Sequence, residues 1–345
     1  MRDNALRPIP IGAVPAETIS DPGRGLQIHS PTADHRGTMP LPKLLITMGD
    51  CAGIGPEIIA AAWPQLREHC HPVVIGDPGK LPPGIECLNP STADLSKVVL
   101  GKVSAEAGRA AFDWLVFAID ECRAGRADGI VTCPLNKEGL HAAGVPFPGH
   151  TEILAHRTGA KSHAMLLYDD ELQLAVAHVT LHQSVRTAVA NITVESVLDT
   201  IRLLRDIVPQ LTGAAARIGV AALNPHASDG GLFGDEESRI IAPAVERAQS
   251  EGIDATGPIA SDAIFLPHNR AKFNGIAAMI HDHGHIAMKL LGGRRAVNVT
   301  AGLPIVRTSV AHGTAYDIAG KGSADAGSLI AAVKVAARLS NRGTV

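Results

Sequence analysis

The residues best equipped for chemistry fall in one run, Ile280-His281-Asp282-His283-Gly284-His285, followed by Lys289, Asn298 and Arg307. Imidazoles beside a carboxylate bind divalent cations and carry protons near neutral pH. The cations downstream suit an anionic substrate held beside such a metal. Histidine recurs in Ala177-His178-Val179-Thr180-Leu181-His182, with Arg186 beyond, and in Asn224-Pro225-His226-Ala227. One such histidine alone is as readily a solvated loop residue or a core residue. Three in matching positions, His182, His226 and His281, fit a divalent-metal site that keeps positions open for substrate. If the chain stays extended, His178, Thr180 and His182 share one face, because strand side chains repeat every two residues.

Each histidine follows a short apolar run of strand character: residues 172–179, 217–223 and 275–280. Open α/β sheets place their sites at the C-terminal ends of strands, which is where these histidines sit. Residues 43–48, 71–77, 128–134 and 296–300 also read as strands, and 304–309 as a further candidate. Residues 104–124, 193–211 and 325–339 have helical periodicity, the first opening on a Ser104-Ala105-Glu106 cap-like pattern. This alternation predicts an α/β fold with a parallel or mixed sheet. Gly49-Asp50-Cys51-Ala52-Gly53-Ile54-Gly55-Pro56-Glu57 joins the first strand to a helix. It has neither dinucleotide-fingerprint spacing nor a Walker lysine, so it reads as a tight turn, with Asp50 the one residue a site would use. Thr151 reads as the N-cap of a helix beginning near Ile153. The alternative is an anion site at that helix N-terminus, assisted by His150 and Lys137.

A chain of 345 residues suggests two lobes. A net charge of -3 gives no field to attract nucleic acid or an anionic membrane. Two Trp, two Tyr and six Phe leave no platform for stacking bases. The five cysteines are odd in number and include no CxxC pair, which argues against a disulfide framework and for a reducing cytoplasm. No apolar run approaches the ~20 residues of a membrane span. Residues 1–40 are polar, aperiodic and rich in Pro, Ser, Asp and Gly, and read as a flexible extension, with Met39 an alternative start.

Taken together, several motifs resemble the 4-hydroxythreonine-4-phosphate dehydrogenase (PdxA) family. They are Thr47-Met48-Gly49-Asp50 with Gly53-Ile54-Gly55-Pro56-Glu57, Gly149-His150-Thr151-Glu152, Leu223-Asn224-Pro225-His226-Ala227, His281-Asp282 and Asn298-Val299-Thr300. Arg307-Thr308-Ser309-Val310 and His312-Gly313-Thr314-Ala315 continue the match. The resemblance runs from about Leu41 to the end. It implies a two-lobed α/β/α fold like isocitrate and isopropylmalate dehydrogenases, with mixed sheets and the site in the interlobe cleft. The lobes would be residues 41–135 plus 300–345, carrying a nucleotide loop, and residues 136–299, carrying the metal ligands and dimer interface. Metal-dependent, NAD-linked oxidative decarboxylation of a 4-phosphorylated 3-hydroxy acid is the implied activity.

By position, the resemblance makes His182, His226 and His281 ligands of a divalent metal (Zn, or Mg, Co or Mn), shared between the two chains of a homodimer. His150, Thr151, Lys289, Asn298 and Arg307 would contact substrate, and Lys289, Asp262 and Asp282 would serve catalysis. Residues 312–322 resemble the nucleotide loop of isopropylmalate dehydrogenases. That would place His312, Gly313, Thr314, Ala315 and Asp317, with Asp325 just beyond, against NAD. The chain departs from the family pattern at Cys51, His283 and Ala311, where proline, glutamine and aspartate are usual. His178-Val179-Thr180-Leu181-His182 and His285-Ile286 are similar to the branch acting on 4-phosphorylated threonate or erythronate. A cis-dihydrodiol dicarboxylate dehydrogenase of the same family, a three-histidine metal hydrolase without NAD, a phosphate acyltransferase and a binding-only relative remain as alternatives.

Overall fold

The computed structural model describes residues 40–160 and 163–341. Residues 1–39, nearly all of the expected extension, lie outside the described residues. The strands are β1 (Lys43–Thr47), β2 (His71–Ile75), β3 (Cys87–Leu88), β4 (Gly129–Thr132), β5 (Ala164–Asp169), β6 (Leu174–His178), β7 (Ile218–Ala221), β8 (Ala255–Ile259), β9 (Gly275–Ala278), β10 (Val297–Ala301) and β11 (Val306–Ser309). The helices are α1 (Gly55–Leu66), α2 (Ala105–Arg123), α3 (Lys137–Ala142), α4 (His150–Thr158), α5 (Val185–Ala190), α6 (Val194–Thr212), α7 (Ala242–Ser250), α8 (Ser261–Ile264), α9 (Pro267–Arg270), α10 (His281–Gly292) and α11 (Gly327–Asn341).

The strands form one mixed sheet in the order β3-β2-β1-β4-β11-β10-β5-β6-β9-β7-β8. β1, β2, β3, β4 and β11 are mutually parallel, and so are β6, β9, β7 and β8. Between the two groups, β10 and β5 pair antiparallel with both neighbours. The expected lobe boundary at residues 299 and 300 falls inside β10, so the two halves share a continuous sheet. β4, β6, β7 and β9 are buried at every residue, as strands covered on both faces must be, and they read as apolar runs rather than alternating ones.

Local chemistry sets the helix starts. The Ser104 hydroxyl accepts the Ala107 amide at 3.1 Å, capping α2, and the Asn136 side chain accepts the Gly139 amide at 2.8 Å, capping α3. α2 passes α3 at glycine: a Cβ on Gly108 would stand 2.1 Å from the Gly139 carbonyl oxygen. That contact fixes α3 and, at its first residue, Lys137. No helix among the described residues is long and apolar enough to cross a membrane.

Three local expectations are corrected. α4 begins at His150, and its N-cap is Gly149 in extended conformation with no side-chain cap, so Thr151 lies inside the first turn. β5 was not expected; its apolar run does not alternate and is indistinguishable from a helix core without its partner β6. After His178 the chain turns rather than staying extended, because the Thr180 amide and hydroxyl both donate to the Met279 carbonyl, at 3.2 and 2.9 Å. His178 and Thr180 are therefore buried and His182 is exposed.

Candidate active site

A cleft of about 220 Å³ lies where the strand direction reverses, lined from both halves of the sheet. Arg307 rises from β11 and Asn298 from β10, with Thr132 at the end of β4, His150 and Thr151 at the start of α4, Lys137 on α3 and His182 beyond β6. Arg307 is 3 % exposed. Its Nη1 donates to Thr300 Oγ1 at 2.9 Å and its Nη2 to Thr132 Oγ1 at 2.8 Å. Both partners are neutral, and Nε has none. Burial lowers the Arg307 pKa to about 10, so the guanidinium stays charged at neutral pH. Asn298 Oδ1 is likewise buried without a partner in the chain. Buried polar groups are nearly always paired. The unpaired Arg307 Nε is a donor and, with the first amides of α4, suits an anion; the unpaired Asn298 Oδ1 is an acceptor and calls for a hydroxyl or amine donor instead. Burial, reinforced by the Arg307 charge, holds His150 well below the usual imidazole pKa, so it faces the cleft neutral.

Next to the cleft lies a histidine cluster. The His182 and His281 ring centroids are 5.8 Å apart. His281 Nδ1 is 2.7 Å from Asp282 Oδ1, which leaves Nε2 free to bind a ligand. His281 and His285, one helical turn apart on α10, stack at 3.8 Å. His285 Nδ1 in turn meets buried His178 Nε2 at 3.1 Å. Gly284 permits this contact, since a Cβ there would lie 2.3 Å from His178 Nε2. Burial, with further depression from neighbouring imidazoles, holds His178 at about 3 and His285 at about 4, so both are neutral at physiological pH. Burial lowers His182 as well.

His182, His226 and His281 do follow three mutually parallel strands, but one chain does not bring all three together. Among the described residues no three His, Cys, Asp or Glu side chains could hold a metal ion. His226 instead faces a shallower hollow of about 610 Å³ with Asp262, Asp282 and His283. Exposed Leu266, Ile286 and Leu290 wall that hollow. Asp262 is exposed on α8, and Lys289 is exposed on α10, outside the residues lining the anion cleft. Of the three departures, Cys51 is fully buried; burial and then the Asp50 charge push its thiol up to about 11. His283 Nδ1 lies 3.3 Å from Ser261 Oγ, and the Ala311 amide donates to Ser328 Oγ at 3.2 Å.

A left-handed turn carries His226. From His226 to Gly230 all five residues have positive φ, a conformation that costs ordinary residues roughly 1–2 kcal/mol each. The Glu237 carboxylate, 4 % exposed, holds it: Oε1 accepts the Leu223 amide at 2.8 Å and the Asn224 amide at 2.7 Å, while Oε2 accepts the Asn224 side-chain amide at 3.0 Å and the Ser228 hydroxyl. Burial opposes the charge, but these hydrogen bonds outweigh it and bring the carboxyl to about 2. A pKa below that of the unfolded chain contributes stability above about pH 4.5, lost as pH falls toward 2. On that shift, Glu237→Gln should destabilise by roughly 3 kcal/mol at pH 7, and the gap from wild type should close near pH 2. Urea melts at pH 7 and pH 3 check this; a gap that does not shrink on acidification would sink it. No sequence pattern marked Glu237.

Of the expected nucleotide loop, His312 and Gly313 line the anion cleft. The Thr314 carbonyl accepts the Ile54 amide at 3.0 Å, Ala315 has φ 45, and Asp317 is exposed. Asp325 Oδ1 accepts the Gly327 amide at 2.7 Å, at the start of α11. Asp50, expected to be available at a strand end, is 1 % exposed and committed: its oxygens accept the Ala52 amide at 2.8 Å and the Tyr316 hydroxyl at 2.6 Å.

Sequence and structure comparison agree on what this arrangement is. The family model described as "Pyridoxal phosphate biosynthetic protein PdxA" matches residues 68–336. A 4-hydroxythreonine-4-phosphate dehydrogenase of Beijerinckia indica is 43% identical over 320 residues, covering 86% of this chain and 94% of its own. A D-threonate 4-phosphate dehydrogenase of Cupriavidus necator is 42% identical over 330 residues, covering 88% and 98%. The crystal structure of the Klebsiella pneumoniae 4-hydroxythreonine-4-phosphate dehydrogenase superposes with a TM-score of 0.76 at 36% identity, over 87% of this chain and 99% of that one. The chain belongs to the PdxA family.

Proposed function

We propose that the protein oxidises a 4-phosphorylated 3-hydroxy acid with NAD, in a divalent-cation-dependent reaction completed by loss of CO2. The observation that carries this reading is the buried Arg307, with Nε unpaired, in a cleft it shares with the start of α4 and with Asn298, whose unpaired Oδ1 calls for a hydroxyl donor. A hydroxylated anion fits that cleft, and relatives bearing the names of dehydrogenases of phosphorylated hydroxy acids cover 86% and 88% of the chain.

Arg307 would grip one anionic end of the substrate through its inward-facing edge. His150, neutral, and Thr151 would donate to the other end together with the first amides of α4. His182 and His281 Nε2 would supply two of three nitrogen donors for the cation, with Asp282 orienting the His281 ring. His226 of a second copy would supply the third, and that copy would cover the apolar side chains Ile286 and Leu290, 57% and 82% exposed. When bound, the cation would lower the pKa of the C3 hydroxyl and NAD would supply the two-electron oxidant. The C3 alcohol would lose its hydride to NAD and its hydroxyl proton to solvent. The C1–C2 bond of the resulting keto acid would then break, releasing CO2 and leaving an electron pair at C2 that takes a proton. Lys289, following His281 and His285 at successive helical turns of α10, is the proposed donor of that proton. Zinc suits this set of imidazole ligands.

The test is NADH formation by the purified protein, with and without chelator, on 4-phospho-D-threonate, 4-phospho-D-erythronate and 4-hydroxy-L-threonine 4-phosphate in parallel. Chelator-sensitive turnover of one compound supports the reading and fixes the C2 substituent. Absence of NADH formation with all three, in metal-loaded protein, would overturn it.

A further inference from the structure

The turn after β1 and the loop at residues 312–322 are far apart in sequence, yet they are tied at four points. Tyr316 Oη donates to Asp50 Oδ2 at 2.6 Å. The Gly320 amide donates to Glu57 Oε2 at 2.9 Å and the Gly322 amide to Glu57 Oε1 at 2.6 Å. The Ile54 amide donates to the Thr314 carbonyl at 3.0 Å. Gly53 lets the surfaces meet, since a Cβ there would lie 2.7 Å from the Thr314 carbonyl oxygen; Gly101, in the segment before α2, approaches the loop as closely, and a Cβ there would lie 2.8 Å from the Tyr316 carbonyl oxygen. Glu57 meets two backbone amides with two carboxylate oxygens, a charge-assisted pairing roughly twice as strong as a neutral one. The loop so held presents His312 and Gly313 to the anion cleft.

We infer that Asp50, Glu57 and Tyr316 are positioning residues for the dinucleotide, which clamp residues 312–322 into the conformation that receives it. The inference rests on the proposed NAD-linked activity. None of the three needs to touch the cofactor: Glu57 acts through the loop's backbone amides, and Asp50 through the side chain of Tyr316 within the loop. A loop without these ties would be ordered only at the moment of binding, and that ordering cost would fall mainly on cofactor affinity. The phosphorylated acid, held chiefly by β10, β11 and α4, meets only His312 and Gly313 at the start of the loop and would bear less of it.

The experiment compares wild type with Tyr316→Phe, which keeps the ring and removes one bond to a carboxylate, and with Glu57→Gln, which removes one of two acceptor oxygens. Both are made in the full chain. Initial rates are measured against NAD and against the phosphorylated acid, and amide hydrogen exchange is followed across residues 312–322. Loss of one hydrogen bond to a charged group should raise KM for NAD on the order of ten-fold, with kcat and KM for the acid within about two-fold of wild type. Exchange across the loop should quicken in both variants. Faster exchange with unchanged KM for NAD would overturn the inference, as would an equal rise in both KM values. A wild-type protein that binds neither NADH nor NADPH would overturn the NAD reading itself, and this inference with it.

Discussion

Arg307→Met is expected to lower kcat/KM for the phosphorylated acid by ~100- to 1,000-fold while leaving the melting temperature unchanged or higher. The two effects have one cause. Taking a guanidinium out of water costs several kcal/mol, and in this chain it is met only by the neutral hydroxyls of Thr132 and Thr300. With Nε unpaired as well, the folded protein alone does not recover that cost. An apolar side chain of similar length should therefore be tolerated or preferred by the fold. Only an anion in the cleft gives the charge its full set of partners, so only binding and turnover should suffer. Arg307→Lys should rescue poorly, because an ammonium cannot reproduce the planar fork that bonds two hydroxyls and an anion together. Inorganic phosphate offers a readout independent of turnover: it should raise the wild-type melting temperature by mass action and leave that of Arg307→Met unmoved. If Arg307→Met melts several degrees lower and keeps its kcat/KM, the residue is a structural member of the core and the cleft is not the substrate site.

Much of this cleft was legible in the sequence because its residues lie at strand ends and helix starts, where local patterns are strong. The family resemblance implies His150, Thr151, Lys289, Asn298 and Arg307 as substrate contacts, and the structure lines one cleft with all of these but Lys289. The apolar runs leading to His182, His226 and His281 gave the strands β6, β7 and β9 and their common rim. What local pattern could not give was distance across elements. His178 and His285 meet over 107 positions of sequence, and Tyr316 reaches Asp50 over 266. Nothing in either neighbourhood announces the other. The Thr151 cap failed because Gly149, a residue type that caps about as readily as threonine, precedes it and adopts the extended conformation a cap needs. Glu237 was invisible because its role depends on a left-handed turn that no residue preference would have suggested for Ala227 or Ser228.

The separation of His226 from the His182–His281 pair leads to the other large effect. His281→Ala should reduce cation affinity and cation-dependent turnover by ~10- to 100-fold or more, measured by chelator competition and by NADH formation. His226→Ala should do the same, although within one chain His226 does not join the cluster formed by the other two. The proposed explanation is a two-fold dimer, in which each site combines His182 and His281 of one copy with His226 of the other. Mixed dimers, purified from co-expressed chains with different tags, separate this from any single-chain arrangement. A dimer of one His281→Ala chain and one His226→Ala chain gathers both lesions into one site and leaves the other whole. It should recover about half of wild-type activity, since the sites are related by symmetry. A dimer of one His281→Ala chain and one His182→Ala chain damages both sites and should stay nearly inactive. If neither mixture recovers activity, all three histidines act within one chain, and the loop carrying His226 must swing across β9 to join the other two. If both recover equally, His281 of one copy joins His182 and His226 of the other, and the pairing of His182 with His281 within one chain is wrong.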